Sequence, residues 1–167
     1  VELTVPSVRT VENLAGVLSK KLMMDFTEIL TALRNPEICA RYGYDTLSIP
    51  CLFIPNTYQM YWDISLNKFL NRMNSESKAF WTPARMQKAR AAKLTPKQVY
   101  ILASIVDEES AYNPEKPMIA GMYINRFRAG MPLQADPTIK FAWKRFDLKR
   151  IYNALLYIHS PFNTYKN

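Results

Sequence analysis

The chain has 167 residues, 49% of them hydrophobic and 13% aromatic, with 22 Lys and Arg against 14 Asp and Glu, a net charge of +8 and a pI near 9.5. That is enough apolar material to bury a core, as one domain or as two small lobes sharing a cleft. With 4 glycines and no GxGxxG or GxxxxGK[ST] string, a glycine-rich phosphate loop is disfavoured, and Cys39 and Cys51 lack the CxxC spacing or histidine partners of a zinc site and read as buried thiols or one optional disulfide.

The positive charge predicts attraction to an anionic partner: nucleic acid, an anionic membrane surface, or the carboxylates and phosphates of a cell envelope. Charge alone does not choose among them. No run of about 18 apolar residues offers a membrane span, and no signal-type segment is present. The chain opens at Val1 without a methionine and is expected to be a trimmed part of a longer protein. A missing anchor therefore says nothing of the intact product.

In chain order, VELTV (residues 1–5) alternates apolar and polar as a strand does. Thr10 followed by VENLAGVLSKKL reads as a capped helix with a Val11, Leu14, Ala15, Leu18, Leu22 stripe. A second helix is expected over residues 25–33, and a short third one begun at Asn35 and stopped at Gly43. Residues 47–62 read as extended, with Pro50 and Pro55 confining that stretch to edges or turns. A strand, two or three helices and a return strand make a small lobe. From Ile64 to Phe80 the pattern is helical, with Leu66, Phe69, Leu70 and Met73 at helix spacing. TPARMQKARAAKL adds a basic helix whose Arg85, Lys88, Arg90 and Lys93 read as a solvated face, with contact to an anionic ligand as the minority reading. The aromatic residues around it do not interleave with basic ones as nucleic-acid-binding motifs require.

TPKQ (residues 95–98) carries strong helix-start chemistry: Thr95 caps, Pro96 suits the first helical position, and Gln98 completes a capping box. The helix is expected to run to about residue 113, before Pro114. On a wheel of about 100° per residue with Tyr100 at zero, the apolar Val99, Ile101, Leu102, Ile105 and Val106 centre near 190°. Glu109 falls at about 180°, Asp107 at about 340° and Glu108 at about 80°. Asp107 is thus expected outward, Glu108 on the flank, and Glu109 inward. A carboxyl drawn out of solvent is able to hold its proton near neutral pH. The alternative for Glu109 is a structural carboxylate paired with Arg126 or another base.

The next helix, residues 115–129 stopped by Gly130, is apolar around most of its circumference and is expected to be central. Within it Asn125 reads either as a satisfied core amide or as a donor facing a ligand. MPLQADPTI then gathers Gln134, Asp136 and Thr138 in a loop closing onto a further helix, with Asp136 as its N-cap. The lone His159 lies far from Ser104 and Ser110 in sequence, which disfavours a serine triad.

FIPNTY (residues 53–58), LASIVDEES (102–110), INRFRAGMPLQADPTIKFA (124–142) and SPFNTY (160–165), in this order, resemble the MltG (YceG-like) family of endolytic murein transglycosylases. The resemblance covers nearly the whole chain. It implies an α+β fold: a LysM-like βααβ lobe over residues 1–58, then a mostly helical catalytic lobe with a lysozyme-like cleft over 59–167, truncated at its C-terminus. It also implies a membrane anchor in the intact protein, the catalytic part in the periplasm of a bacterial envelope, peptidoglycan glycan strands as substrate and the cell-wall synthesis machinery as candidate partner. No nucleic acid, metal or cofactor is implied.

The activity implied is that of a carbon–oxygen lyase cutting the MurNAc–GlcNAc β-1,4 bond within strands, with Glu109 as general acid and then base and a 1,6-anhydro end on the product. Ser110 follows Glu109 as in the Glu-Ser pair of other lytic transglycosylases, and Ser110, Asn125, Gln134, Asp136 and Thr138 are the implied substrate-binding residues. Three departures stand out: Asp107 where the family usually has Glu, Pro50–Cys51 where it has Glu-Gly, and no Gly- and Pro-rich segment after NTY. Two other readings remain, a lysozyme-like hydrolase using Glu109 and Asp136 and a non-catalytic glycan-binding module in which Glu109 is structural.

Overall fold

The computed structural model describes residues 1–167 and divides into two compact units, Val1–Met86 and Gln87–Asn167. The architecture is α+β and mostly helical, with one two-stranded sheet.

In the first unit, β1 (Glu2–Val5) pairs antiparallel with β2 (Asn56–Gln59), Leu3 opposite Tyr58 and Val5 opposite Asn56. The two-residue period turns Leu3 and Val5 into the core and Glu2 and Thr4 outward. Three helices follow β1, and each begins on a side-chain cap. Thr10 accepts from the Asn13 amide to start α1 (Val11–Lys21), Asp25 accepts from Thr27 and Glu28 to start α2 (Phe26–Leu33), and Asn35 accepts from Glu37 and Ile38 to start α3 (Pro36–Arg41). Gly43, at φ +83°, closes α3 in the left-handed region that glycine reaches without strain. The apolar stripes of these helices meet Leu3, Ile49, Leu52 and the inner face of α4 (Leu66–Phe80), where Phe69 and Met73 are fully buried and Phe69 stacks on Phe53.

Residues 47–62 are not extended throughout: Ile49–Leu52 form a 3-10 turn, and the strand is confined to β2. The Asp45 carboxylate accepts from the Leu47 and Ser48 amides and from the Ser48 hydroxyl. A side chain that captures local amides competes with the sheet ladder, and Pro50 has no amide to give that ladder. Cys39 and Cys51 are buried and not joined in a disulfide, and burial pushes the Cys39 thiol up.

The basic helix α5 covers Pro83–Ala91. Arg85, Lys88 and Arg90 are exposed, and Arg85 folds back over the Phe80 ring with a guanidinium donor on the Phe80 carbonyl. In the second unit, α6 (Pro96–Glu109) starts on the full capping box, with the Thr95 hydroxyl accepting from the Gln98 amide and the Gln98 side chain from the Thr95 amide. Thr95→Ala removes one acceptor from the helix start. It is expected to cost about 1 kcal/mol, read as a lower urea midpoint for the second unit.

Helix α6 ends at Glu109, earlier than the pattern suggested. Ser110 takes extended backbone, its hydroxyl accepts from the Tyr112 amide and donates to Glu115, and a 3-10 turn at Asn113–Glu115 leads into α7 (Lys116–Arg128). The same serine–backbone competition that starts helices stops this one. Nor is α7 central. Of its apolar side chains only Tyr123 is buried, whereas Met118 is 72% exposed and Met122 and Phe127 also face solvent. The unit's core is small, Ile105, Val106, Tyr123 and Ala135 with Leu102, Ile119, Ala120 and Leu133 around them, and it covers one stripe of α7. The last helix, α8 (Asp136–Trp143), ends at Lys144 in the left-handed region. No helix is long and apolar enough to cross a membrane.

Candidate active site

The site lies within the second unit, where the C-terminal end of α6, the middle of α7 and the loop before α8 converge. Glu109 is the last residue of α6. From α7 the Tyr123 phenol, on a residue 3% exposed, donates to Glu109 Oε1 at 2.5 Å. The wheel direction holds, since Glu109 continues the side of Ile105 and meets a residue of the same core. Its burial does not: Glu109 is exposed. Helical angle sets where a side chain points, but α6 ends at this residue and the small core stops beneath it.

A second tyrosine–carboxylate pair lies nearby. The Tyr165 phenol donates to Asp136 Oδ1. The chain end is pinned to the loop by Thr164, whose carbonyl accepts from the Gln134 amide at 2.9 Å and whose hydroxyl accepts from the Ala135 amide at 2.9 Å and lies 2.8 Å from the Thr138 hydroxyl. Asn163 anchors this segment from beneath. At 0% exposed, it donates from Nδ2 to the Leu156 and Ile158 carbonyls and accepts at Oδ1 from the Tyr165 amide. Arg126 of α7 holds the loop from the other side, with Nε on the Pro132 carbonyl and a terminal nitrogen on Gln134 Oε1, both at 2.8 Å.

The two pairs form one electrostatic patch. Burial, followed by the hydrogen bond and charge of Glu109, raises the Tyr123 phenol far above its ordinary range, with Asp136 contributing. Burial and then Asp136 push Tyr165 up to about 12, with Glu109 adding to the rise and Arg126 opposing it. Both phenols therefore act as neutral donors at any physiological pH. The carboxylates sit at opposite helix ends, Glu109 where the α6 dipole disfavours an anion and Asp136 where the α8 dipole favours one.

Of the residues singled out from sequence, Glu109, Gln134 and Asp136 face this patch, and Asn125 is exposed on α7. The Ser110 hydroxyl is engaged in the turn after α6, and Thr138 is buried with its hydroxyl donating to the Ala135 carbonyl. Asp136 is not the N-cap of α8. Ala135 occupies that position without a side-chain bond, and the Asp136 carboxylate is turned to Tyr165 instead. Asp107 points away and pairs with Lys116 at 2.6 Å, as the wheel indicated. The Glu109–Arg126 ion pair is not formed, because the guanidinium is committed to the loop. No group of three His, Cys, Asp or Glu side chains converges to hold a metal ion.

Tyr123 and Asn163–Tyr165 were not assigned roles from residue pattern, and Arg126 was read only as the ion partner of a structural Glu109. A tyrosine within a helix's apolar stripe needs a partner for its hydroxyl, a signal that could have singled out Tyr123. Nothing local reveals the tail, whose partners lie 29 residues away in sequence.

Fold and site define a two-unit α+β protein whose second unit presents a helix-terminal carboxylate held by a buried tyrosine, beside a second carboxylate held by a half-buried one. The model of the YceG-like family matches residues 1–167, and the chain belongs to that family. A Bacillus subtilis (strain 168) protein named endolytic murein transglycosylase is 30% identical over 105 residues, 63% of this chain and 29% of that protein. A Streptococcus pneumoniae (serotype 2) protein of the same name is 25% identical over 99% of this chain and 34% of its own length. The chain thus spans about a third of the curated relatives it matches. Among solved structures, a YceG-like protein from Listeria monocytogenes superposes with a TM-score of 0.79 at 22% identity, over 99% of this chain and 59% of that one, a likeness of fold.

Proposed function

We propose that this chain is part of an endolytic lytic transglycosylase that cuts the MurNAc–GlcNAc β-1,4 bond within peptidoglycan strands, with Glu109 as its acid and base. The observation that carries the reading is the exposed Glu109 carboxylate, which has one oxygen held by Tyr123 and the other without a protein partner. Family membership and the names of the relatives support it.

One such group is sufficient for the chemistry. Protonated Glu109 gives its proton to the glycosidic oxygen as the bond to C1 of the muramic residue breaks. The C6 hydroxyl oxygen of that same sugar then closes on C1, and its proton passes to the Glu109 carboxylate, which leaves a 1,6-anhydro end and restores the acid. An internal nucleophile replaces the second carboxylate that a glycosidase uses. Gln134, Asp136 and Asn125 are placed in the reading as hydrogen-bonding groups for the glycan. Ser110 and Thr138, assigned the same role from sequence, would act chiefly by holding the turn and the loop.

The remaining parts of the reading are a LysM-like lobe within residues 1–58, a lysozyme-like cleft within 59–167, and a place in the bacterial envelope with an inner-membrane anchor elsewhere in the intact protein. Digestion of purified peptidoglycan by the full-length protein, followed by mass spectrometry, tests the activity. Fragments one water lighter than hydrolysis products are expected. Reducing ends would instead support the hydrolase with Asp136 as second carboxylate, and no cleavage would support the glycan-binding module.

A further inference from the structure

We propose that Tyr123 is the positioning residue of the acid: its phenol selects which oxygen of Glu109 reacts and tightens its hold as the proton leaves. The inference rests on the reading of Glu109 as the acid. Tyr123 is fixed by the core of the second unit, among Ile105, Val106 and Ala135, so its ring has one place to go. A phenylalanine would fill the same space. The hydroxyl is therefore not required for packing, and the bond it makes is the one to Glu109 Oε1.

Glu109 needs such a partner. It is exposed, it ends its helix, and no other protein group bonds its carboxylate. A free glutamate side chain samples several rotamers, and the dipole at this helix end disfavours the anion formed in the first step. With Oε1 committed to the phenol, Oε2 is the oxygen left to carry the reacting proton. Before transfer, Tyr123 donates to the carbonyl oxygen of a neutral acid. As the Oε2 proton moves to the glycosidic oxygen and the C1–O bond breaks, negative charge spreads to Oε1, where the donor already stands at 2.5 Å. A neutral bond thereby becomes charge-assisted and stronger. An interaction that strengthens towards the transition state raises kcat and leaves substrate binding alone. The phenol relays no proton, since burial and the neighbouring Glu109 hold its own proton far above the ordinary tyrosine range.

The test is Tyr123→Phe in the full-length protein, with Glu109→Gln beside it. On purified peptidoglycan Tyr123→Phe is expected to lower kcat about tenfold with KM within about twofold of the parent, and its melting temperature reports whether the core is kept. Proton NMR supplies a readout independent of turnover. A short phenol–carboxylate bond gives a hydroxyl resonance far downfield, expected in the parent, missing from Tyr123→Phe and moved upfield in Glu109→Gln. A folded Tyr123→Phe enzyme with the parental kcat, or a parent without the downfield resonance, overturns the positioning role while leaving the acid in place if Glu109→Gln is inactive. Undiminished turnover in Glu109→Gln overturns the acid assignment and this role with it.

Discussion

Glu109→Gln is expected to reduce the release of anhydro-ended fragments from peptidoglycan by a factor of about a thousand or more, the scale on which a general acid and base contributes. The substitution keeps shape and leaves an acceptor for the Tyr123 phenol, but removes the group that gives and takes the proton. Because Glu109 is exposed and in no ion pair, the folded state should change by no more than about 0.5 kcal/mol, so lost activity cannot be put down to unfolding. Asp107→Asn is the natural comparison. It breaks a surface pair with Lys116, worth at most about 1 kcal/mol, and should leave cleavage near the parental rate. Equal rates for the parent and Glu109→Gln would remove the acid from the scheme, and a dead Asp107→Asn would move it two residues along the helix.

Asn163→Ala is expected to destabilise the second unit by about 3 kcal/mol, since it leaves the Leu156 and Ile158 carbonyls and the Tyr165 amide without partners beneath the surface and each such group costs about 1–3 kcal/mol. The damage should reach the site. Without its anchor, the segment that places Thr164 on the loop and Tyr165 on Asp136 loosens, so activity falls together with stability. Urea unfolding and the rate of proteolytic cutting after residue 150 measure the two effects, and an unchanged midpoint with unchanged cutting would show that Asn163 anchors nothing. The Tyr165 contact adds a pH signature in the parent. Its phenol is raised from 10.0 to about 12 in the fold, so the contribution is complete below the unfolded value and is lost as pH climbs through the folded one.

Local chemistry was legible wherever a residue's partners lie within a few positions. The caps at Thr10 and Asn35 and the box at Thr95 and Gln98 formed as their residue types indicated, because a capping bond closes across two or three residues; Asp136 did not cap α8, because Tyr165 of the chain end engages its carboxylate. The same locality explains the errors. Asp45 and Ser110 redirected the chain through bonds as short in sequence as any cap, and a reading by hydrophobic period alone passes over them. The exposed α7 failed for another reason. An apolar circumference says that a helix can be buried, and whether it is depends on how much core its own unit supplies.

At the candidate site the division is similar. The period of the helix was enough to separate Asp107, Glu108 and Glu109 by angle, and the motifs were enough to indicate the family, since both are properties of neighbouring residues. Only the tertiary structure decided that Glu109 ends in solvent, that Tyr123 holds one of its oxygens from 14 residues away, and that Tyr165 reaches Asp136 across 29. Such contacts are made by the packing of α6, α7 and the chain end around a small core, and exposure and distant pairing belong to that packing, which no spacing along the chain encodes.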